Sequence, residues 1–432
     1  MKHTVFEVSL PNGVKGLIIH IPNASVMRLN FSFRAGEYLV PKKKWETPHL
    51  MEHLLLGANE MIPKARDFQA EFGKNGAYNN ASTGVYDITY EAESADFEWD
   101  RTLGMMLIAI TKPLFLEDEF RAEYGNVQEE IMSRTNNHSL QLSMVMRKRF
   151  GLIAKTDSER IALMPNVTID DIRDHYYRTH LAANMRFVIA GNITPKRRTT
   201  IEKLLANIEL QDNGKRFELP DEQLKVITKP IYIHNKSVEN LYFYIDTYMN
   251  RRLKDPEADA LDLLNTMLTE TLYSKILGTA RERGLVYSMG SGITQARNLS
   301  NWWFGAQVSD KNAAALIDII TTEIGKVLTG DIAKKDVEIT KQYELGKFQR
   351  SAQTVGGIAN GYADRYFFDE VIDEYSQIPG RIKAVNKAVT VDVARAMLAD
   401  NIWGLGVLGY CGRGFVEKLK QQLDPLWQQS KA

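Results

Sequence analysis

A single cysteine, Cys411, occurs in the 432 residues. That excludes an intrachain disulfide and any metal site built from paired thiolates, and it points to a reducing compartment. No stretch approaches 18 uninterrupted apolar residues, so no membrane-spanning helix is expected. An excess of one charge is also missing. Fifty-four basic side chains balance 54 acidic ones, which removes any global argument for nucleic acid or an anionic membrane as partner. The opening MKHTVFEVSLPNGVKG has neither the apolar core of a secretory signal nor the Arg- and Ser-rich character of a transit peptide, and the expected location is the cytoplasm. Apolar and charged fractions of 44% and 25% are those of an ordinary soluble globular protein, and the length calls for two or more domains.

The chain opens as a hairpin. Residues 4–10 and Val14 to Ile21 alternate as strands around the turn Leu10-Pro11-Asn12-Gly13, and a third strand follows in Ser25 to Phe33. The segment Ile19 to Phe31 repeats as Ile231 to Phe243, 212 residues later, with seven of 13 pairs identical. An offset of about half the chain reads as duplication of a whole domain, since solenoid repeats have periods of roughly 20–50 residues. Each half then continues with strands and helices in blocks. In the first half helices are expected near Ala65 to Phe72, Ala95 to Thr111, Leu116 to Leu152 and Ile169 to His180, with strands in Ala77 to Ala92 and Met185 to Ala190. In the second, a helix is expected over Pro256 to Arg281, then strands Val286 to Thr294 and Asn301 to Val308, helices from Lys311 and Lys334, and a last strand near Gly404 to Tyr410. The fold class is α+β: two homologous domains, residues 1–207 and 225–432, each a mixed sheet covered by helices, joined by the linker 208–224, IELQDNGKRFELPDEQL.

The chemistry concentrates in His49-Leu50-Met51-Glu52-His53. On a helix, His49 and His53 leave one face a single turn apart and close on one metal ion, and Glu52 shares that face. Thr47 as N-cap and Pro48 as first helical residue start the helix where His49 needs it, and Leu54 to Leu56 anchor its far end. Two neutral imidazoles suit zinc, and a neighbouring carboxylate that does not bind the metal is free to take a proton from water. This is the H-x-x-E-H order of a zinc peptidase. The helix at the corresponding place in the second half, Ala260 to Tyr273, has no histidine. A catalytic zinc normally has a third protein ligand. Glu123 and Glu130, seven residues apart on RAEYGNVQEEIM, line one helix face about 10 Å apart. One would bind the ion and the other would hydrogen-bond a ligating histidine. His175 and His180 are five apart, which does not suit one helix face, and are read as structural.

Together these residues resemble the pitrilysin/insulinase superfamily of zinc metallopeptidases, in particular the mitochondrial processing peptidase type and its small bacterial relatives. The likeness runs through LPNGVKGLIIHIP, HLMEH, GKNGAYNNAST, AEYGNVQEEI, DHYYRTHLAANMRFVIAGNI and ARERGLVYS. It implies one zinc ion per chain on His49, His53 and Glu130, with Glu123 supporting the ligands, Glu129 the alternative ligand and Glu52 the general base. It implies further that Tyr287 and Arg281, or Arg283 in place of Arg281, contact the substrate backbone, and that Asn80, Ala81 and Ser82 lie on an edge strand where a peptide adds as an extra strand. The implied activity is endopeptidase cleavage of peptides or unfolded segments by a homodimer or a heterodimer. The competing expectation is a non-catalytic partner or structural subunit of the same fold.

Overall fold

Gly13, at φ +89°, lets the chain turn tightly after Leu10, and β1 (Thr4–Ser9) pairs antiparallel with β2 (Lys15–His20), Thr4 opposite His20 and Ser9 opposite Lys15. The computed structural model describes residues 1–211, 214–399 and 401–428. Asp212 and Asn213 of the expected linker, Asp400 and residues 429–432 lie outside the described residues. With β3 (Val26–Phe33), β4 (Tyr78–Thr83), β5 (Ile88–Ala95) and β6 (Met185–Gly191), the hairpin builds a six-stranded mixed sheet of order β1-β2-β6-β3-β5-β4. Strands β2 and β6 run parallel and the other neighbours antiparallel.

A second sheet contains β7 (Ile231–His234), β8 (Leu241–Met249), β9 (Met289–Gln295), β10 (Ser300–Val308) and β11 (Ile402–Gly409) in the order β7-β11-β8-β10-β9. Apart from β1, the two sheets have one topology, including a parallel β7–β11 pair that answers β2–β6. The repeated sequence segment spans β2–β3 in one and β7–β8 in the other. The fold class is thus α+β, two mixed sheets covered by helices.

The chain forms two compact units. The first comprises Met1–Arg134, Asp157–Leu219 and Gln349–Glu374, and the second Thr135–Thr156, Pro220–Phe348 and Tyr375–Ala432. In the first, one face of β3 carries Met27, Leu29, Phe31 and Phe33 into an apolar core. The other face carries Arg28, Asn30 and Ser32, polar yet almost fully buried. Helix Val355–Asp369, far away in sequence, covers that face. The Asn30 side chain donates to the Asn360 side-chain oxygen at 3.4 Å, and Glu370, just past the helix, takes ion pairs from Arg186 and Arg216. Residues of the expected linker are held here as well: Arg216 by Glu370, and the Phe217 carbonyl by Arg34 at 2.7 Å. In the second unit helix His138–Arg149 plays the covering role. Leu142, Met146 and Phe150 pack with Tyr248 and Leu408. A side chain at Gly406 would meet Met146 Sδ at 2.7 Å, so glycine is what admits the helix this close to β11.

Two expected elements are corrected. The single helical run Leu116 to Leu152 is two helices, Glu117–Ser133 and His138–Arg149. Thr135, Asn136 and Asn137 are weak helix formers, and the Asn137 side chain accepts from the Leu140 amide at 3.0 Å, starting a new helix. Pro256 to Arg281 is broken into helix Asp255–Asn265, a π-turn Thr266–Glu270 and helix Leu277–Glu282. There the Thr269 and Ser274 hydroxyls bond the carbonyls of Asn265 and Thr266, each at 2.9 Å, in competition with the helical ladder. As expected, Ala77 to Ala92 folds into strands, β4 and β5, around a turn closed by the Gly84 amide on the Asp87 carbonyl at 2.8 Å. Among the described residues no helix is long and apolar enough to cross a membrane.

His175 and His180 are buried joints between helix Ile169–Thr179 and the first sheet. His175 Nε2 donates to the Ala35 carbonyl at 2.7 Å, and His180 Nε2 lies 3.0 Å from the Tyr90 hydroxyl with its ring stacked on Phe33. Burial lowers the His175 pKa from 6.5 to about 4. A base depressed in this way contributes stability that is present above its unfolded pKa and lost as pH falls through the folded one. Between pH 6.5 and 4 the unfolding free energy should therefore fall by about 3 kcal/mol more in the parent than in His175→Gln, measured by urea denaturation. Equal slopes would show that His175 is not held neutral.

Candidate metal centre

Helix Thr47–Leu55 turns two faces to different tasks. Leu50, Met51, Leu54 and Leu55 are fully buried in the first unit's core, each contributing about 1.5–3 kcal/mol. His49, Glu52 and His53 lie on the opposite face, with the two imidazole centroids 5.0 Å apart. The helix starts one residue earlier than its cap residues imply. Glu46, not Thr47, is at the N-cap position, and no side chain caps the end.

Helix Glu117–Ser133 lies alongside. Phe120, Val127 and Ile131 anchor it in the same core, which turns Glu123 and Glu130 towards the histidines. A single oxygen, Glu130 Oε2, is 3.3 Å from His49 Nε2 and 3.5 Å from His53 Nε2. The other ring nitrogens are held from behind: His53 Nδ1 by Glu123 Oε2 at 2.9 Å, and His49 Nδ1 by Glu46 Oε2 at 3.1 Å. Glu129 is not in this group. The ligand atoms of His49, His53 and Glu130 all lie within 4.8 Å of one another.

The charges are tightly coupled. Burial alone would lower the His53 pKa, but Glu123 and Glu130 outweigh it and raise it to about 10. Burial opposes ionisation of Glu46, yet Arg160 and His49 hold its carboxyl down at about 2. Hydrogen bonds from His49 and then His53 lower Glu130, while burial raises Glu52. The donor set fits a divalent metal of the zinc type. With a metal ion bound, each imidazole would give its Nδ1 hydrogen to a carboxylate and turn its Nε2 lone pair to the ion beside Glu130 Oε2, and two nitrogens with one oxygen are a common catalytic zinc ligand set.

Glu52 accepts a hydrogen bond from the Thr83 hydroxyl at 2.9 Å. Thr83 ends β4, the edge strand that also carries Asn80, Ala81 and Ser82, and among the described residues β4 pairs with β5 alone. In the second unit the Arg281 guanidinium donates to the Tyr287 carbonyl and lies 4.8 Å from the Tyr287 ring centroid, with Tyr287 84% exposed. The sequence motifs do not include Glu46 or Arg160. Glu46 had a readable signal, since three residues before His49 is one helical turn. Arg160 arrives from helix Asp157–Leu163 and leaves none.

Two family models match the chain: residues 17–155 match "Insulinase (Peptidase family M16)" and residues 166–343 match "Peptidase M16 inactive domain". Among curated relatives, the A-factor-processing enzyme of Saccharomyces cerevisiae is 24% identical over 179 residues, and the insulin-degrading enzyme of Drosophila melanogaster is 24% identical over 182. Each alignment covers 40% of this chain, but the matched stretch spans only 17% and 18% of those longer proteins. Among solved structures, a protease from Helicobacter pylori superposes with a TM-score of 0.83 at 17% identity, over 95% of this chain and 100% of that one. A peptidase M16 inactive domain from Pseudomonas fluorescens follows at 0.80 and 14% identity, over 95% and 98%. Fold and matched family models together define the class as an M16-type peptidase fold. The chain belongs to the pitrilysin/insulinase superfamily.

Glu123 is the one carboxylate on His53 Nδ1, and replacing such a partner typically costs 10–100-fold in metal affinity. Glu123→Ala should weaken zinc binding by about that factor in competition with a chromophoric chelator. Unchanged affinity would remove Glu123 from the site.

Proposed function

We propose that this protein is a zinc-dependent endopeptidase acting on peptides or unfolded protein segments, with His49, His53 and Glu130 holding one zinc ion and Glu52 as general base. The observation that carries this reading is the convergence of two imidazole Nε2 atoms on one Glu130 oxygen, with a half-buried carboxylate, Glu52, beside His53 on the same helix. When bound, zinc supplies Lewis acidity that polarises a peptide carbonyl and acidifies water. Glu52 takes the proton of the attacking water and hands it to the leaving amine. Burial helps by raising the Glu52 pKa towards neutrality, and Thr83 fixes the direction of its carboxylate. Asn80, Ala81 and Ser82 offer an unpaired strand edge, so an extended substrate binds through main-chain hydrogen bonds with little dependence on sequence. Tyr287 and Arg281, by the family resemblance, hold the substrate backbone.

The proposed setting is a cytoplasmic homodimer, or a heterodimer with a second chain of this fold, with no nucleic acid or membrane partner. Residues 1–207 and 225–432, joined by 208–224, are proposed as the two copies of the duplicated domain. One observation favours a second reading, a non-catalytic subunit: part of the chain matches a model described as an inactive domain. That match covers residues 166–343, whereas the metal-type group lies within 17–155. Glu52→Gln distinguishes the two. It should keep about one zinc per chain and lower cleavage of a quenched peptide library by about 10²–10⁴-fold. Cleavage at the parent rate would sink the assignment of Glu52, and an inactive zinc-loaded parent would favour the subunit reading.

A further inference from the structure

His49 and His53 are held differently, and the difference lies behind His49. Its Nδ1 has two neighbours of opposite character. Glu46 Oε2, which only accepts hydrogen bonds, is 3.1 Å away, and Arg160 Nη2, which only donates, is 3.2 Å away. A neutral imidazole carries one hydrogen. If it is on Nδ1, it goes to Glu46 and Nε2 keeps the lone pair that faces Glu130. If it is on Nε2, Nδ1 accepts from Arg160 and the metal-facing nitrogen is blocked. The two neighbours therefore select opposite tautomers, and only one of these binds metal.

We propose that Glu46 is a positioning residue that decides this contest, taking the Nδ1 hydrogen of His49 while engaging Arg160, so that His49 Nε2 stays open to a metal ion. Arg160 is occupied in a two-pronged fork, Nε to Glu46 Oε1 at 2.6 Å and Nη2 to Oε2 at 2.8 Å. Glu46 is wholly buried, and although it stands at the N-cap position of the metal helix it makes no capping bond. The short polar side chains preferred at that position bond the free amides of the first turn, and Glu46 does not. Here it is turned to the ring and the guanidinium instead. His53 needs no such arbiter, because its Nδ1 meets Glu123 and, among the described residues, no guanidinium is hydrogen-bonded to it. Arg160 in turn holds the Glu46 carboxylate in the orientation that His49 requires. The pair works as a unit whose removal in part is worse than its removal in full.

This inference rests on the metal reading above, and its test separates the two. Zinc affinity is measured by chelator competition for the parent, Glu46→Met, Arg160→Met and the double variant. Glu46→Met, which leaves Arg160 alone with Nδ1, should weaken binding at the upper end of the roughly 10–100-fold range typical of lost ligand supports. The double variant, with nothing left to press the wrong tautomer, should recover much of that loss, which a merely structural role would not produce. A double variant as weak as Glu46→Met, or a Glu46→Met variant as tight as the parent, overturns the proposal. A parent that binds no zinc overturns the metal reading and this inference with it. If Glu46→Met does not fold, Glu46→Gln, which keeps the shape and loses the charge, is measured in the same way: weaker zinc binding than the parent, recovered in part when Arg160→Met is added, is expected, and binding as tight as the parent's overturns the proposal.

Discussion

Two carboxylate–imidazole hydrogen bonds, Glu46 to His49 and Glu123 to His53, are the constraint on which the site depends. An imidazole free to rotate or to change tautomer presents its metal-binding lone pair only part of the time. Bonded at Nδ1, each ring is fixed in plane and has one nitrogen left to offer. Both remaining nitrogens then meet at Glu130 Oε2. Each partner carboxylate comes from a different place, one from the helix's own N-terminal residue and the other from a neighbouring helix, so the site is set by the packing of two helices.

That packing is apolar in origin. Leu50, Met51, Leu54 and Leu55 on one helix and Phe120, Val127 and Ile131 on the other bury themselves in one core beneath the first sheet. Their periodicity turns Glu52, His53, Glu123 and Glu130 to the half-exposed side where the two helices meet. The edge strand β4 enters the same neighbourhood through the Thr83 to Glu52 hydrogen bond, which couples the strand edge to the carboxylate proposed as base. The peptide pairing proposed at that edge and the proton transfer proposed at Glu52 would share one short structural path. In energetic terms, the core supplies the stability and the polar face is free to hold like charges close together.

What could be read from the chain alone follows period and spacing. Helical period places His49, Glu52 and His53 on one face and Glu123 with Glu130 on another, and the segment repeated 212 residues on announces two sheets of one topology. Elements decided by distant partners left no such trace. Arg160 lies 111 residues from His49, and helix Val355–Asp369 covers a sheet made by the first 191 residues. The buried polar row Arg28, Asn30 and Ser32 makes physical sense only beneath that helix. The break between Ser133 and His138 was missed because two good helical patterns abut, and a three-residue run of Thr and Asn outweighs them. Residue types at a fixed spacing identify a chemistry, but the groups that orient it are supplied by tertiary packing.

X-ray absorption at the zinc edge of the zinc-loaded protein tests the central claim most directly. The account predicts one ion per chain with two imidazole nitrogens at about 2.0–2.1 Å and carboxylate oxygen at about 2.0–2.2 Å, and with the imidazole signal reduced by half in His53→Gln. A protein that retains no zinc, or a spectrum unchanged by that substitution, would contradict it.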